Sequence, residues 1–252
     1  MIISSPKTTD IPRLKDLFSQ AFGDEGAFLD IFFKVAFEPN RARVIYKENE
    51  IVAMLYWFDC EADSKPLAYI YAVATDKACR GQGLCSRLMV NTHEHLKSLG
   101  YSGAILVPGE ISLFGFYERL GYKTATFIDE FTCKNATQGC NFWEIDKNEY
   151  ARLRKSYLPS GAVIQEKENL DFLNSLATFI KGEDFILAYS IYSDKLHAYE
   201  LLGNKDKAPN ILKALNLKEG TFRTVGNVKP FTMLFPFGKD MTSPQYFAFA
   251  FD

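Results

Sequence analysis

The stretch Val73-Ala74-Thr75-Asp76-Lys77-Ala78-Cys79-Arg80-Gly81-Gln82-Gly83-Leu84-Cys85-Ser86-Arg87-Leu88 constrains this chain more than any other. It reads as a strand, a turn carrying two glycines, and the start of a helix whose apolar stripe is Leu84, Leu88, Leu96 and Leu99. A helix start offers unpaired backbone N–H groups and the positive end of the helix dipole, which together attract an anion such as a phosphate. Gly81 and Gly83 let the backbone close on such a group without a β-carbon in the way, and Arg80 and Arg87 add positive charge. The spacing is neither that of a Walker loop, which needs Gly-Lys-Ser/Thr, nor Gly-x-Gly-x-x-Gly, so a nucleoside triphosphatase or a dinucleotide fold is not indicated. Taken alone, the segment is also what an ordinary strand-to-helix turn looks like.

The surrounding periodicity supplies a frame for it. Met1–Ser5 is a short strand, and Asp10 caps a helix with Pro12 in its first turn, ended by Gly23. Gly26–Phe37 repeats the helical spacing. Arg43–Tyr46 and Ile51–Phe58 form a hairpin around Lys47-Glu48-Asn49-Glu50, and Leu67–Ala74 is the strand leading into the glycine turn. Leu84–Leu99 is a long helix stopped by Gly100, and Ala104–Val107 a short buried strand. Ser112 caps a helix over Leu113–Leu120, closed by Gly121, and Tyr122–Phe131 returns as a strand. This order predicts an α/β fold with a mixed sheet and helices on its faces (an α+β arrangement) rather than a doubly wound one.

Lys134–Gly139 is polar and small enough for a linker, which divides the chain into domains at 1–134 and 135–252. The second half shows helical spacing at Lys147–Tyr157 and Leu170–Lys181, then a hairpin of Phe185–Tyr192 and Leu196–Leu202. Ile191–Ala198 echoes Ile45–Ala53, either by chance or because the chain is internally duplicated. The terminal run Tyr246–Phe251 alternates as a closing strand would.

Two motifs resemble a known family. Arg80-Gly81-Gln82-Gly83-Leu84-Cys85 is similar to the Arg/Gln-x-x-Gly-x-Gly/Ala signature of the GNAT acetyltransferase superfamily. Some 30 residues on, past an intervening strand, Phe116-Tyr117-Glu118-Arg119-Leu120-Gly121-Tyr122 resembles that family's Phe-Tyr-x-x-x-Gly-Phe/Tyr helix and turn. The likeness spans roughly Met1–Phe131, and it departs at Cys85, where the family usually has Gly or Ala.

The resemblance implies an N-acetyltransferase that moves an acetyl group from acetyl-CoA to a primary amine by direct attack. It places the pantetheine arm along Ala72, Val73 and Ala74, and the pyrophosphate on the N–H groups of Gln82, Gly83, Cys85 and Ser86, within the signature Arg80–Cys85 that also includes Gly81 and Leu84. Tyr117 matches the tyrosine that protonates the leaving thiolate as general acid, or is a core aromatic beside Phe114 and Phe116. The strand Leu67–Tyr71 carries no acid, which leaves Asp59, Glu61, Glu110 or water as the base. The same gap supports an alternative, an acyl-CoA-binding sensor or scaffold without turnover.

In the second half, Pro230-Phe231-Thr232-Met233-Leu234-Phe235-Pro236 looks like a segment of tandem GNAT proteins whose second copy has lost the cofactor loop. The resemblance thus implies a GNAT domain followed by a smaller, degenerate GNAT-like one. By analogy with the enhanced-intracellular-survival acetyltransferases, a terminal carboxylate on Asp252 is a further candidate base.

Composition narrows the partners. A formal net charge of -2 advertises neither nucleic acid nor an anionic membrane, and no apolar run approaches the ~20 residues of a membrane-spanning helix. Met1–Lys7 lacks the features of a cleavable signal, and five cysteines without paired spacing do not indicate disulfides. His93 and His95 point to different faces of one helix, so no metal site is expected. The expectation is a cytoplasmic enzyme, with a small-molecule amine or peptide amine as acceptor, and with enough aromatic surface for a homodimer.

Overall fold

The structure, a computed structural model, describes residues 1–23 and 26–251. It resolves into two compact units: Met1–Lys123 with Met233–Thr242, and Thr124–Thr232 with Ser243–Asp252. The linker expected at 134/135 falls at the end of a strand that packs with the second unit, and a late segment of the chain belongs to the first.

The first unit opens with β1 (Ile2–Ser4), α1 (Ile11–Phe22) and α2 (Ala27–Val35). A 3-10 turn, Thr8–Asp10, precedes α1, so Asp10 does not cap it through its side chain as expected. Its carboxylate instead accepts the Lys7 N–H at 2.7 Å and the Tyr46 hydroxyl at 2.5 Å. β2 (Ala42–Lys47), β3 (Glu50–Ala62) and β4 (Lys65–Thr75) form an antiparallel meander. α3 (Leu84–Ser98) then crosses over to β5 (Gly103–Leu106), parallel to β4, and α4 (Phe114–Arg119) follows.

Aromatic side chains fill the layer between α1, α2 and the sheet. The Phe32 ring lies 5.2 Å from Tyr56 and 5.6 Å from both Phe18 and Tyr71, so the first two helices are fixed by ring packing that β-branched residues could not supply. On the other face, Leu84, Leu88, Met89 and Leu96 of α3 bury against Ala68, Ile70, Ala104 and Leu106. A fully buried leucine contributes about 1.5–3 kcal/mol. Leu99, expected on this stripe, lies past the helix end and is 55% exposed.

β6 (Lys123–Lys134) leads into the second unit, which continues with β7 (Trp143–Glu144), α5 (Lys147–Tyr157), α6 (Glu168–Asn174) and β8 (Thr178–Lys181). The single helix expected over 170–181 is thus a short helix and a strand: Thr178, Phe179 and Ile180 favour the pleat, and β8 pairs with both β7 and β9. β9 (Phe185–Tyr192) and β10 (Lys195–Gly203) form a hairpin, α7 (Ala208–Ala214) crosses over, and β11 (Glu219–Val225) lies parallel to β10 and antiparallel to β6. The last strand, β12 (Lys229–Pro236), carries the chain back: its end, Met233–Pro236, pairs antiparallel with Leu106–Gly103 of β5 in the first unit.

The two units repeat one topology, a three-stranded meander, a crossover helix, and a parallel strand flanked by an antiparallel one. The counterpart of β9–β10 is therefore β3–β4, since β4 and β10 each enter the crossover. The hairpin echo read from Ile45–Ala53 matched β9–β10 with β2–β3 instead. Turns with two residues at positive φ, Glu48-Asn49, Asp63-Ser64 and Ser193-Asp194, close all three hairpins, so turn chemistry alone does not tell them apart.

The terminal run Tyr246–Phe251 is buried but is not a strand. It threads the second unit's core, where the Gln165 side chain donates to the Phe249 carbonyl at 2.9 Å and accepts from the Phe249 N–H at 3.0 Å.

Candidate active site

The site begins with a parting of strands. β4 pairs with β5 only as far as Ile70↔Leu106 and then runs on to Thr75. Along the same stretch β4 carries a bulge against β3: between the pairs Tyr56↔Tyr71 and Met54↔Ala74, Ala72 and Val73 oppose Leu55 alone. Ala72 has φ +53°, the left-handed conformation that the first residue of such a bulge adopts and glycine usually provides. The extra residue resets the pleat. Ala68 and Ile70 face the α3 core, and beyond the bulge Val73 takes that side in place of Ala72.

The loop after β4 is held from below. Asp76 caps its 3-10 turn by accepting the Ala78 N–H at 2.8 Å, and its own N–H donates to the Val52 carbonyl at 2.9 Å. The Arg13 guanidinium of α1 reaches Asp76 at 2.5 Å and holds its carboxyl below the ordinary value. Arg80 donates from Nε to the Thr75 carbonyl at 3.2 Å, which folds the loop back over the strand end. Gly81 and Gly83 have φ +75° and +72°, and the space a β-carbon would enter is open at both. Gly83 is the N-cap of α3 and places no side chain on the helix end, so the first-turn N–H groups at Leu84, Cys85 and Ser86 face outward without a side-chain cap. The residues present therefore suit an anionic group.

These elements border a cleft of about 490 Å³. Of the residues expected at the site, Val73 and Ala74, the loop residues Arg80, Gly81 and Gly83, the α3 residues Leu84, Cys85 and Ser86, and Tyr117 all line it. Ala72 is buried in the bulge, and Gln82 is exposed on the loop between the two glycines; neither lines the cleft. Among the proposed bases that fall in the described residues, only Glu110 does. Asp59 is bound by Arg41 at 3.2 Å and by the Tyr101 hydroxyl, and Glu61 sits at the far end of β3 opposite Pro66. Asp252 lies outside the described residues.

Tyr117 is 8% exposed, and burial, reinforced by neighbouring Cys85, raises its phenol well above the ordinary value. It is accordingly an uncharged phenol at neutral pH. Burial also pushes the Cys85 thiol up to about 11, so it is not a nucleophile in waiting. The lining further includes Phe116 of the Phe116–Tyr122 motif, together with Ala21 and Phe22 at the end of α1 and Leu113 after β5, three residues that no motif marks. The helix expected over Leu113–Leu120 with a Ser112 cap starts instead from a 3-10 turn, and Ser112 donates to Glu110 at 3.0 Å. All five cysteines are free. Among the described residues no His, Cys, Asp or Glu cluster is placed to hold a metal, and no helix is long and apolar enough to cross a membrane.

The second unit keeps the framework of this site without its cradle. β10 also carries a bulge, and Asn204 caps the following turn by accepting the Asp206 N–H at 3.1 Å, as Asp76 does for Ala78. The turn then enters α7 with no glycine, and Pro209 in the first turn removes a backbone donor.

Residues 3–125 match the family profile of the acetyltransferase (GNAT) domain. A GCN5-related N-acetyltransferase from Kribbella flavida superposes with a TM-score of 0.71 at 16% identity, covering 93% of this chain and 71% of that one. A GCN5-related N-acetyltransferase from Anabaena variabilis gives 0.73 at 16% identity over 92% and 72%. Eis1 from Mycobacterium abscessus gives 0.66 at 13% identity over 94% and 74%. No curated protein sequence matches the chain.

Proposed function

Because residues 3–125 match the GNAT acetyltransferase domain, we propose that this protein transfers an acetyl group from acetyl-CoA to a primary amine at the cleft between β4, α3 and α4. The observation that carries the reading is the conjunction of an α3 N-terminus without a side-chain cap, a β4 edge unpaired with β5 beyond Ile70 where the strand bulges at Ala72–Val73, and a neutral tyrosine on the same cleft.

Acetyl-CoA, when bound, supplies a thioester carbonyl open to direct attack by an amine nitrogen. The first-turn N–H groups of α3, with Arg80, hold the pyrophosphate. The Val73–Ala74 backbone, free of β5 beyond Ile70, holds the pantetheine amides. As the carbon–nitrogen bond forms and the carbon–sulfur bond breaks, the electron pair leaves on sulfur, and Tyr117 delivers its phenolic proton there. The proton lost by the acceptor nitrogen passes to water, and Tyr117 is reprotonated from solvent through the open cleft.

The second unit, in this reading, is a degenerate copy of the first. The shared topology, the matching bulges and the Asp76/Asn204 turns support it, and Pro209 accounts for the lost cradle. Calorimetric titration with acetyl-CoA tests the function. Saturable binding to the native protein, lost in a folded Gly83→Glu variant, is the expected result. No binding at millimolar ligand would make the glycine turn a structural relic.

A further inference from the structure

We propose that the acceptor is a monoamine with an apolar body, an arylalkyl- or branched alkylamine, whose nitrogen pairs with Glu110 as ammonium, gives one proton to water and then attacks as the free amine, while its body rests on Phe22 and Leu113; this rests on the acetyl-CoA reading above.

The inference follows from what remains of the cleft lining once the phosphate cradle, the β4 edge and Tyr117 are assigned. Phe22 closes α1, is 48% exposed, and is fixed by its neighbour Phe18, whose ring centroid lies 4.9 Å away. Leu113 is 37% exposed in the turn after β5, and Ile111 of the same turn is 88% exposed. Single exposed apolar side chains are ordinary. Here an aromatic and an aliphatic one from different elements meet on one cleft, where burial against a ligand would recover their hydration cost.

Charge selects further. Glu110 is the one carboxylate among the described lining residues, and Arg80 the one cation. With Arg80 facing the phosphates, the acceptor meets a single negative charge. That suits one ammonium group. A polyamine would bring further ammonium groups to an apolar wall, at a desolvation cost that nothing in the described lining offsets.

The test compares kcat/KM for 2-phenylethylamine, 3-methylbutylamine, spermidine and a lysine-containing peptide, by release of free thiol from acetyl-CoA. The expected order places the two apolar monoamines at least tenfold above spermidine and the peptide. Phe22→Ala should raise the KM for 2-phenylethylamine roughly tenfold, as loss of an apolar contact surface does, with Phe22→Leu recovering much of it. Acetyl-CoA affinity, titrated on the same samples, should not move in either variant. Equal or better use of spermidine or the peptide overturns the inference, as does an unchanged KM in Phe22→Ala. Acetyl-CoA binding without acetylation of either apolar monoamine overturns it too and leaves the cofactor reading standing; absence of acetyl-CoA binding removes both.

Discussion

The Nε2 atom of His93 lies 2.8 Å from the hydroxyl oxygen of Tyr122, inside the core beneath α3. The imidazole also stacks on Phe235, with ring centroids 4.4 Å apart. Burial pulls its pKa down to about 4, so the ring is neutral in the folded protein at neutral pH.

This pair makes stability pH-dependent in a definite direction. The unfolded chain binds a proton at His93 near the ordinary value of 6.5 and the folded chain only near 4. Between those values the unfolded state holds more protons, so the contribution is fully present above about pH 6.5 and is lost as pH falls toward 4. The whole window is worth up to about 3 kcal/mol. Thermal melts from pH 7 to pH 4.5 should show a progressive loss that is shallower in His93→Gln, which keeps a polar partner for Tyr122 without titrating. Parallel pH profiles for the two proteins would assign the slope elsewhere.

Tyr117→Phe removes one oxygen and leaves the ring contact with Tyr122, whose centroid is 5.7 Å away. Turnover should fall by roughly 10²-fold or more, the usual worth of a positioned acid, while acetyl-CoA binds as before. Turnover within twofold of the native enzyme would return Tyr117 to a packing role.

The second unit holds a buried ion pair in which Arg154 donates to Glu200 at 2.6 and 3.0 Å, with the Tyr150 hydroxyl donating to the same carboxylate at 2.8 Å. Both side chains are at most 3% exposed, and the guanidinium lies 4.2 Å from the Phe249 ring centroid. Arg154→Met strands the Glu200 carboxylate and should cost about 3–5 kcal/mol in denaturant unfolding. The double change Arg154→Met with Glu200→Leu removes both charges and should recover most of that. A double variant as unstable as the single one would show that packing, not charge, dominates the site.

Ala72 occupies a left-handed position where a branched side chain is more strained than alanine. Ala72→Val should destabilise by about 1–3 kcal/mol, whereas Ala72→Gly should stay within about 1 kcal/mol of the native protein, since relieved strain offsets greater unfolded-state freedom. Equal melting points for all three would deny that the bulge is strained.

What the sequence made legible follows from range. The strand, glycine turn and α3 are set by contiguous residues, so Leu84, Leu88 and Leu96 could be placed before any tertiary contact was known. Glu110 could be named as a candidate, but its separation from Asp59 and Glu61 depends on which sheet end each reaches. Phe22 and Leu113 carry no motif; the topology alone brings the end of α1 and the turn after β5 to the cleft. The error at 170–181 has a local cause, since Leu170, Leu173, Ala177 and Ile180 keep a helical period into what becomes β8. Asp10 and Ser112 each stand where a cap is expected, yet 3-10 turns intervene and their oxygens serve Tyr46 and Glu110 instead.

The return of β12 to β5 bears on how the protein is made. On the ribosome, the first unit emerges with the outer edge of β5 bare, because Met233–Pro236 is synthesised only after the whole of the second unit's meander and crossover. A messenger truncated near the end of the family-matched segment would yield a polypeptide that contains the glycine loop and Tyr117 but exposes an open strand edge suited to self-association. Nascent first units therefore depend on a strand that their own chain supplies later, and neither proteolysis nor gene splitting between the two halves can be expected to release an independently soluble first unit.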